Sequence, residues 1–508
     1  FPLFFCTHCQ RKMVYPTCEE CGQRCIKHYF CKVCGEMEKD TCRHGKATGY
    51  KKQEIDIKYY LEKAKQRVGD SVFPELIKGV RGTSNKEHYV EHLIKGVLRA
   101  KHNIYVNKDG TTRYDCTELP LTHFKPKEIK APIPKLISLG YTTDIYGKPL
   151  ESENQILELK AQDVVLPGYD SLDESAARVL SRVANFVDEL LVKFYGLEPF
   201  YNIKKEEDLI GHLIVGLAPH ISAGIVGRII GFSESQGFMA HPMYHAAMRR
   251  DCDGDEACLL LLMDALLNFS RQYLPERRGA KTMDAPLVLT SILDPKEVDE
   301  QVLDLDVAWR YPLELYEAAL LLKRPGEVRW GPEQKKVPQL VDRLGTPQQY
   351  EGFGFTHGTE NFNKGVLCSA YKTIPTMEDK LFGQMEIARK IRAVDLDDVA
   401  ILVIQKHFLK DIKGNLKKFS MQEFRCVKCN EKFRRPPLIG KCTACGGKII
   451  FTISEGSVIK YLGPSLKLCQ DYNFSPYLKQ TIDMLKTNVD NVFGKDLDKQ
   501  VGLGAFIT

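Results

Sequence analysis

Twelve of the 17 cysteines lie in two clusters built from C-x-x-C pairs, and this spacing limits what the chain can fold into more than any other feature. Two thiolates three residues apart can face one ion from a single tight turn, and a second pair closes the tetrahedral set that Zn²⁺ prefers. The first cluster reads CTHC (Cys6, Cys9), CEEC (Cys18, Cys21), CKVC (Cys31, Cys34) and then Cys42-Arg-His44. Cys6, Cys9, Cys18 and Cys21 are the expected ligands of one ion. Cys31, Cys34 and Cys42 belong to a second, completed by His44 or, as alternatives, by Cys25 or His28. The other cluster, CVKC and CTAC, places Cys426, Cys429, Cys442 and Cys445 in a C-x2-C-x12-C-x2-C ribbon. Thiols kept as metal ligands rather than disulfides imply a reducing, intracellular compartment.

The 508 residues exceed what one core accommodates, and at ~100 to 200 residues per domain three or four domains are expected. Apolar content of 43% and charged content of 27% are ordinary for folded domains. A net charge of +6 permits an acidic partner without requiring one, so the distribution of charge matters more than its total. No apolar run reaches the ~18 to 20 residues needed to cross a bilayer, so a soluble protein with no membrane partner is expected. The chain begins at Phe1 rather than Met, as a fragment or processed product would.

The sequence divides into two zinc modules (1–49), a mixed α/β stretch (50–170) with a proline-rich linker at Pro120–Pro134, and a helical element (171–204). Its capping-box pattern, Ser171 with Glu174, opens a helix whose stripe is Val179, Val183, Phe186 and Leu190, with Gly196 just past its end. Between 212 and 241, β-branched runs broken by Gly216, Gly224, Gly227, Gly231 and Gly237 predict strongly curved strands with bulges, as in a small barrel. That barrel is expected over 205–300, followed by a helical and mixed region (301–418), the ribbon (419–462) and a C-terminal helix and tail (463–508). Within these, Leu259–Met263, apolar on all sides, predicts a buried helix. APLVLTSIL (285–293) predicts a returning strand, and EVDEQVLDL and LELYEAALLLKR predict helices.

"RRDCDGDEACLLLL" crowds Asp251, Asp253 and Asp255 onto one loop. Carboxylates at alternate positions of an irregular loop can converge on a hard divalent cation such as Mg²⁺, which takes oxygen ligands and keeps positions for water and phosphate. An EF-hand does not fit, because the sixth position is Glu256 instead of Gly and the twelfth is Leu262 instead of Glu. A solvated acidic turn is the plain alternative. Arg249 and Arg250 precede the loop, and His241 and His245 stand in "HPMYH", so cationic donors and carboxylate-held metal would share one cleft suited to phosphate chemistry. The histidines read equally well as phosphate or nucleotide contacts and as structural groups.

Residues 405–448 hold twelve Lys or Arg against three Asp or Glu, a local footprint for a polyanion around the ribbon. Lys432, Arg434 and Arg435 on the ribbon loop are candidate phosphate contacts. His407 and Asp411 could pair as a site or simply hydrogen-bond locally. In the final QVGLGAFIT, one helical turn would gather Leu503, Phe506 and Ile507 beside Gln500 into a plug for a partner's groove.

The stretch from Gly211 through "GHLIVGLAPHISAGIVGRIIGF", "HPMYHAAMRRDCDGDEACLLLLMDALLNF" and "APLVLT" resembles the large subunit of archaeal family D DNA polymerase. "FRCVKCNEKFRRPPLIGKCTACGGK", the nearby "KYL" and the opening cysteine modules are also similar to that family, so the likeness spans nearly the whole chain, more loosely at 50–170 and 325–350. The resemblance implies a multidomain α+β protein with a double-psi β-barrel catalytic domain, helical clamp elements and three zinc-ribbon or knuckle modules. It implies a DNA-directed DNA polymerase acting on primer-template and dNTPs, with Asp253 and Asp255 as catalytic Mg²⁺ ligands and structural Zn²⁺ at three sites. Asp251 stands where the family more often has Asn, a change toward the Asp-x-Asp-x-Asp loop of RNA polymerases. It further implies a small proofreading subunit, a PCNA sliding clamp bound through Gln500, Leu503, Phe506 and Ile507, and an upstream part of the large subunit carrying a second barrel. Two rivals share these features: an RNA polymerase-like nucleotidyltransferase, separable by ribonucleotide incorporation, and a noncatalytic zinc scaffold that binds DNA, separable by the absence of metal-dependent synthesis.

Overall fold

Short β-branched and leucine-rich runs punctuated by glycine become seven strands of one sheet in the computed structural model. They are β1 (Tyr114–Pro120), β2 (Asp163–Pro167), β3 (Leu213–Leu217), β4 (Ala223–Ser233), β5 (Gly237–Ala240), β6 (Glu256–Leu261) and β7 (Val288–Thr290). The structure describes residues 1–69, 74–80, 90–170, 173–219, 221–270, 287–298, 300–353, 361–370, 373–450 and 453–493. Six of the strands close on themselves in the order β2-β5-β1-β6-β3-β4, because β4 returns to pair with β2. The β5/β1 and β4/β2 pairs are parallel and the other four are antiparallel, while β7 adds to β4 in parallel outside the ring. Closure depends on the length of β4. Its first half pairs with β3 and its second half with β2, where the register shifts between Val164 and Val165. A closed ring leaves fewer open edges for stray pairing.

Period-two alternation sorts the strand side chains onto two faces. Ile214, Ile225, Ile229, Leu259 and Leu261 join the large core of this unit. Val215, Leu217, Cys258 and Leu260 form a second apolar cluster with Ala265. Gly216 and Gly227 stand opposite neighbours on β3 and β4, and a Cβ on either would approach the Tyr244 hydroxyl to 2.8 Å. Their lack of a side chain lets the tyrosine lie against the sheet and donate to the Ile225 carbonyl at 2.9 Å.

Three helices frame the ring: α1 (Ala176–Leu190), α2 (Pro242–Ala247) and α3 (Leu262–Asn268). The α1 helix starts later than its sequence pattern suggests. Ser175 is the N-cap, accepting from the Arg178 amide at 3.4 Å, and the expected cap Ser171 lies outside the described residues. The stripe holds, with Val183, Phe186 and Leu190 buried against the ring and Val179 at its margin. Its last turn widens to a π turn over Leu191–Tyr195 and ends at Gly196, φ 66°. The expected helix over Leu259–Met263 is corrected: β6 runs to Leu261 and α3 begins at Leu262. All-round burial suits a strand covered on both faces as well as a helix, and pairing with β1 and β3 decides for the strand. Among its described residues EVDEQVLDL contributes to 3₁₀ turns over Pro295–Glu297 and Glu300–Asp304, whereas LELYEAALLLKR does form a helix over Leu313–Leu320. The returning strand is short, covering Val288–Thr290.

Among the described residues the chain forms two compact units, Phe1–Cys368 and Ser369–Thr508. The second has its own helical core, in which Leu381, Ile404, Ile412, Leu468 and Ile482 meet, and a three-stranded ribbon from Phe424–Cys426, Lys432–Phe433 and Ile449–Ile450. The architecture is mixed α and β with a sheet-rich core and separate cysteine sets. No helix among the described residues is long and apolar enough to cross a membrane.

Candidate functional site

The acidic loop joins α2 to β6. Two stops and a turn are written into its backbone: Arg249 ends the helix in the left-handed region at φ 66°, and Cys252 and Gly254 follow at 65° and 94°. Left-handed residues reverse the chain sharply, so Asp251, Asp253 and Asp255 project from a compact turn rather than from an extended strand. All three are exposed, and one carboxylate oxygen from each lies within 4.8 Å of the others. Ligands at ~2.1 Å around an octahedral Mg²⁺ stand ~3 to ~4.2 Å apart, so modest side-chain rotation brings these oxygens to bonding distance. The donor set is all oxygen and open to solvent, which fits a hard cation that must also accept water and phosphate.

Of the two preceding arginines, Arg249 is exposed, and Arg250 places Nη1 3.2 Å from Asp255 Oδ2. Cys252 is half-buried between the aspartates, and burial pushes its thiol up to about 12. The histidines are elsewhere: both imidazoles are fully buried. His241 caps α2, its Nδ1 accepting from the Met243 amide at 3.1 Å, with its ring edge-on to Phe353. His245 Nε2 lies 2.9 Å from the Leu119 carbonyl and therefore donates to it. Burial lowers His241 to about 3 and His245 to about 4, so both are neutral at pH 7. Of the two roles open to them in the sequence, this burial favours the structural one.

Glu118 was invisible to sequence reasoning. It lies on β1, in a stretch with no recognisable motif, and its side chain is fully buried beneath the loop. Its Oε1 accepts from the Gly254 amide at 3.0 Å, its own amide donates to the Asp255 carbonyl at 3.0 Å, and its Oε2 is 3.3 Å from His245 Nδ1. Burial raises its pKa, the Gly254 and Asp255 amides lower it, and the Asp253 and Asp255 charges raise it again. A carboxyl 136 positions before its partner leaves no local spacing signal; only the β1/β6 pairing, Thr117 opposite Glu256, unites them.

Three cysteine sets can each hold a metal. Cys6, Cys9, Cys18 and Cys21 converge, as do Cys31, Cys34, Cys42 with His44, and Cys426, Cys429, Cys442 with Cys445. Sulfurs at ~2.3 Å from a tetrahedral Zn²⁺ would be ~3.8 Å apart. The observed separations are 3.6 Å for Cys6 and Cys21, 3.5 Å for Cys426 and Cys445, and 3.4 Å for Cys429 and Cys442. His44 Nδ1 stands 3.1 Å from Cys34 Sγ and completes the second set. Of the alternatives, Cys25 is in the apolar core of the first module and His28 stacks on Phe5.

The first module is bolted to the rest of its own unit. Tyr15 accepts from the Leu93 amide and Tyr60 from the Val14 amide, both at 3.1 Å, and buried Glu19 joins His92 and Arg67. In the second unit, Lys432 pairs with Glu423 at 3.1 Å and lines a cleft of about 730 Å³ with Lys417, Lys418 and Arg425. Arg434 and Arg435 are exposed. His407 packs on Tyr461, and Asp411 accepts from Asn415, so the two do not form a site pair. Gln500, Leu503, Phe506 and Ile507 lie outside the described residues.

A family model described as DNA polymerase II large subunit DP2, catalytic domain, matches residues 70–380. The chain is 48% identical over 506 residues to a protein of Archaeoglobus fulgidus named DNA polymerase II large subunit, an alignment covering 99% of this chain and 43% of that protein. It is 49% identical to one of the same name from Methanocella arvoryzae, covering 98% and 43%, and 48% identical to one from Pyrococcus furiosus, covering 96% and 39%. The chain thus spans about two-fifths of the length of these curated relatives.

Proposed function

The chain belongs to the family of the DNA polymerase II large subunit DP2 catalytic domain, and from that premise we propose that it carries the metal-binding half of a DNA polymerase active site. The reaction is templated transfer of a deoxynucleotide to a primer 3′-hydroxyl. One observation carries the reading: three carboxylates brought within 4.8 Å on a tight loop between a helix and a strand of a closed ring, inside the matched region. Asp253 and Asp255 would hold Mg²⁺, with Asp251 as a third donor. Bound there, the metal supplies activation of the 3′-hydroxyl and charge neutralisation on the departing pyrophosphate. Arg249, exposed beside the aspartates, binds triphosphate or primer phosphate. Arg250 holds Asp255 in place until metal or substrate competes for that carboxylate.

The six-stranded ring with two parallel pairs supports a double-psi β-barrel, the fold the sequence resemblance implies. The three cysteine sets hold structural Zn²⁺, since four ligands leave no open position for substrate. Lys432, Arg434 and Arg435 contact nucleic-acid phosphate. The sequence resemblance supports three partners: an upstream part of the large subunit, a small proofreading subunit and, through the C-terminal tail, a PCNA sliding clamp.

In enzyme reconstituted with the upstream part and small subunit, Asp253→Asn is expected to reduce primer extension by roughly 10²- to 10³-fold or more, with an unchanged thermal melt. Normal dNTP incorporation by that variant would remove the assignment, and preference for ribonucleotides would move the chain to RNA synthesis.

A further inference from the structure

Both ends of the acidic loop are tied to the same three residues of β1. On the C-terminal side, Glu118 receives the Gly254 amide and gives its own to the Asp255 carbonyl, and Thr117 pairs with Glu256. On the N-terminal side, His245 of α2 donates to the Leu119 carbonyl at 2.9 Å and sets its other ring nitrogen 3.3 Å from Glu118 Oε2. Gly254 sits between Asp253 and Asp255 at φ 94°, where nothing but this one acceptor is bonded to its amide among the described contacts. Rotating that peptide would swing the two aspartates relative to each other. Glu118 itself is inaccessible, with a side chain fully excluded from solvent.

We infer that Glu118 is a positioning residue for the metal site: by accepting the Gly254 N–H it fixes the peptide between Asp253 and Asp255 and so sets the separation of their carboxylates. It does not touch the ion. This rests on the reading of the aspartates as metal ligands. Holding ligands in place beforehand strengthens cation binding because the loop loses less freedom when the ion arrives. The role depends on the acceptor and its reach rather than on negative charge.

The test measures Mn²⁺ binding to the full zinc-loaded chain by electron paramagnetic resonance, with Mn²⁺ alone as the probe. Glu118→Gln keeps an acceptor toward Gly254 and offers an N–H to His245, and should bind within about threefold of the unmodified chain. Glu118→Met keeps the length without an acceptor, and should bind at least tenfold more weakly. Glu118→Asp, one methylene short, should also weaken binding about tenfold and serves if the methionine variant does not fold. In the reconstituted enzyme, the Mg²⁺ concentration for half-maximal extension should rise in the Asp variant while the rate at saturating Mg²⁺ changes much less. Glu118→Asp or Glu118→Met binding Mn²⁺ as tightly as the unmodified chain would overturn the role, and so would a Gln variant as weak as the others, since charge would then be the cause. Asp253→Asn serves as the separate check: if it leaves Mn²⁺ binding intact, the metal site itself is misassigned.

Discussion

His241 shows how one buried side chain sets a pH limit. Its ring caps α2 and packs on Phe353, and burial holds it at about 3 against an ordinary 6.5. The unfolded chain therefore binds a proton between pH 6.5 and about 3 that the folded chain does not. Stability from this group is complete above pH 6.5 and is lost as pH falls toward the folded value, with His245 acting in the same direction. At ~1.4 kcal/mol per pH unit the combined effect is on the order of several kcal/mol. His241→Asn keeps an N-cap acceptor and removes one titrating ring. Its melting temperature is expected to fall less steeply between pH 6.5 and 4, at a cost near neutral pH of about 1 to 3 kcal/mol for lost packing. Melts recorded from pH 4 to 8 read both quantities, and parallel curves for the two proteins would refute the assignment. The spacing of "HPMYH" left the histidines' role open because periodicity does not report burial.

At the scale of elements, the three cysteine modules are alike in sequence and differ in how they are held. In the first, Cys6 and Cys18 are 1% and 0% exposed, and Tyr15, Tyr60 and Glu19 tie the module to the 57–68 and 93–101 helices or the residues that cap them. In the second, Cys34 and His44 face solvent, and in the ribbon Cys429 does. A chelator should therefore strip the second module and the ribbon first, and the first module last and together with loss of tertiary signal. A coloured zinc indicator gives the time course, and one uniform release phase would contradict it. The cysteine spacing predicted which cysteines converge but carried no information on anchoring, which depends on aromatic and acidic residues outside the C-x-x-C pairs.

For the whole molecule, two cores mean two folding units. The first unit gathers residues as distant as Ile94, Leu166 and Leu340, while the second closes over 377–493 with its own leucines and isoleucines. Separately expressed 369–508 with zinc is expected to melt cooperatively. Calorimetry checks this, and a molten 369–508 fragment would show that it needs the first unit.

By itself the sequence determined the features that need only neighbours: which cysteine pairs converge, a three-aspartate turn, and the curved strands between 212 and 241, while His44 was singled out from Cys25 and His28 only by the structure. Ligands a few residues apart converge through local turns whatever the rest of the chain does. Tertiary structure alone decided that β1 and β2 come from the motif-poor 50–170 stretch to close the ring, that 256–261 is strand, and that Glu118 lies under the aspartates. Those outcomes depend on which strand pairs with which, and strand pairing joins residues from tens of positions to well over a hundred positions apart that no local pattern connects.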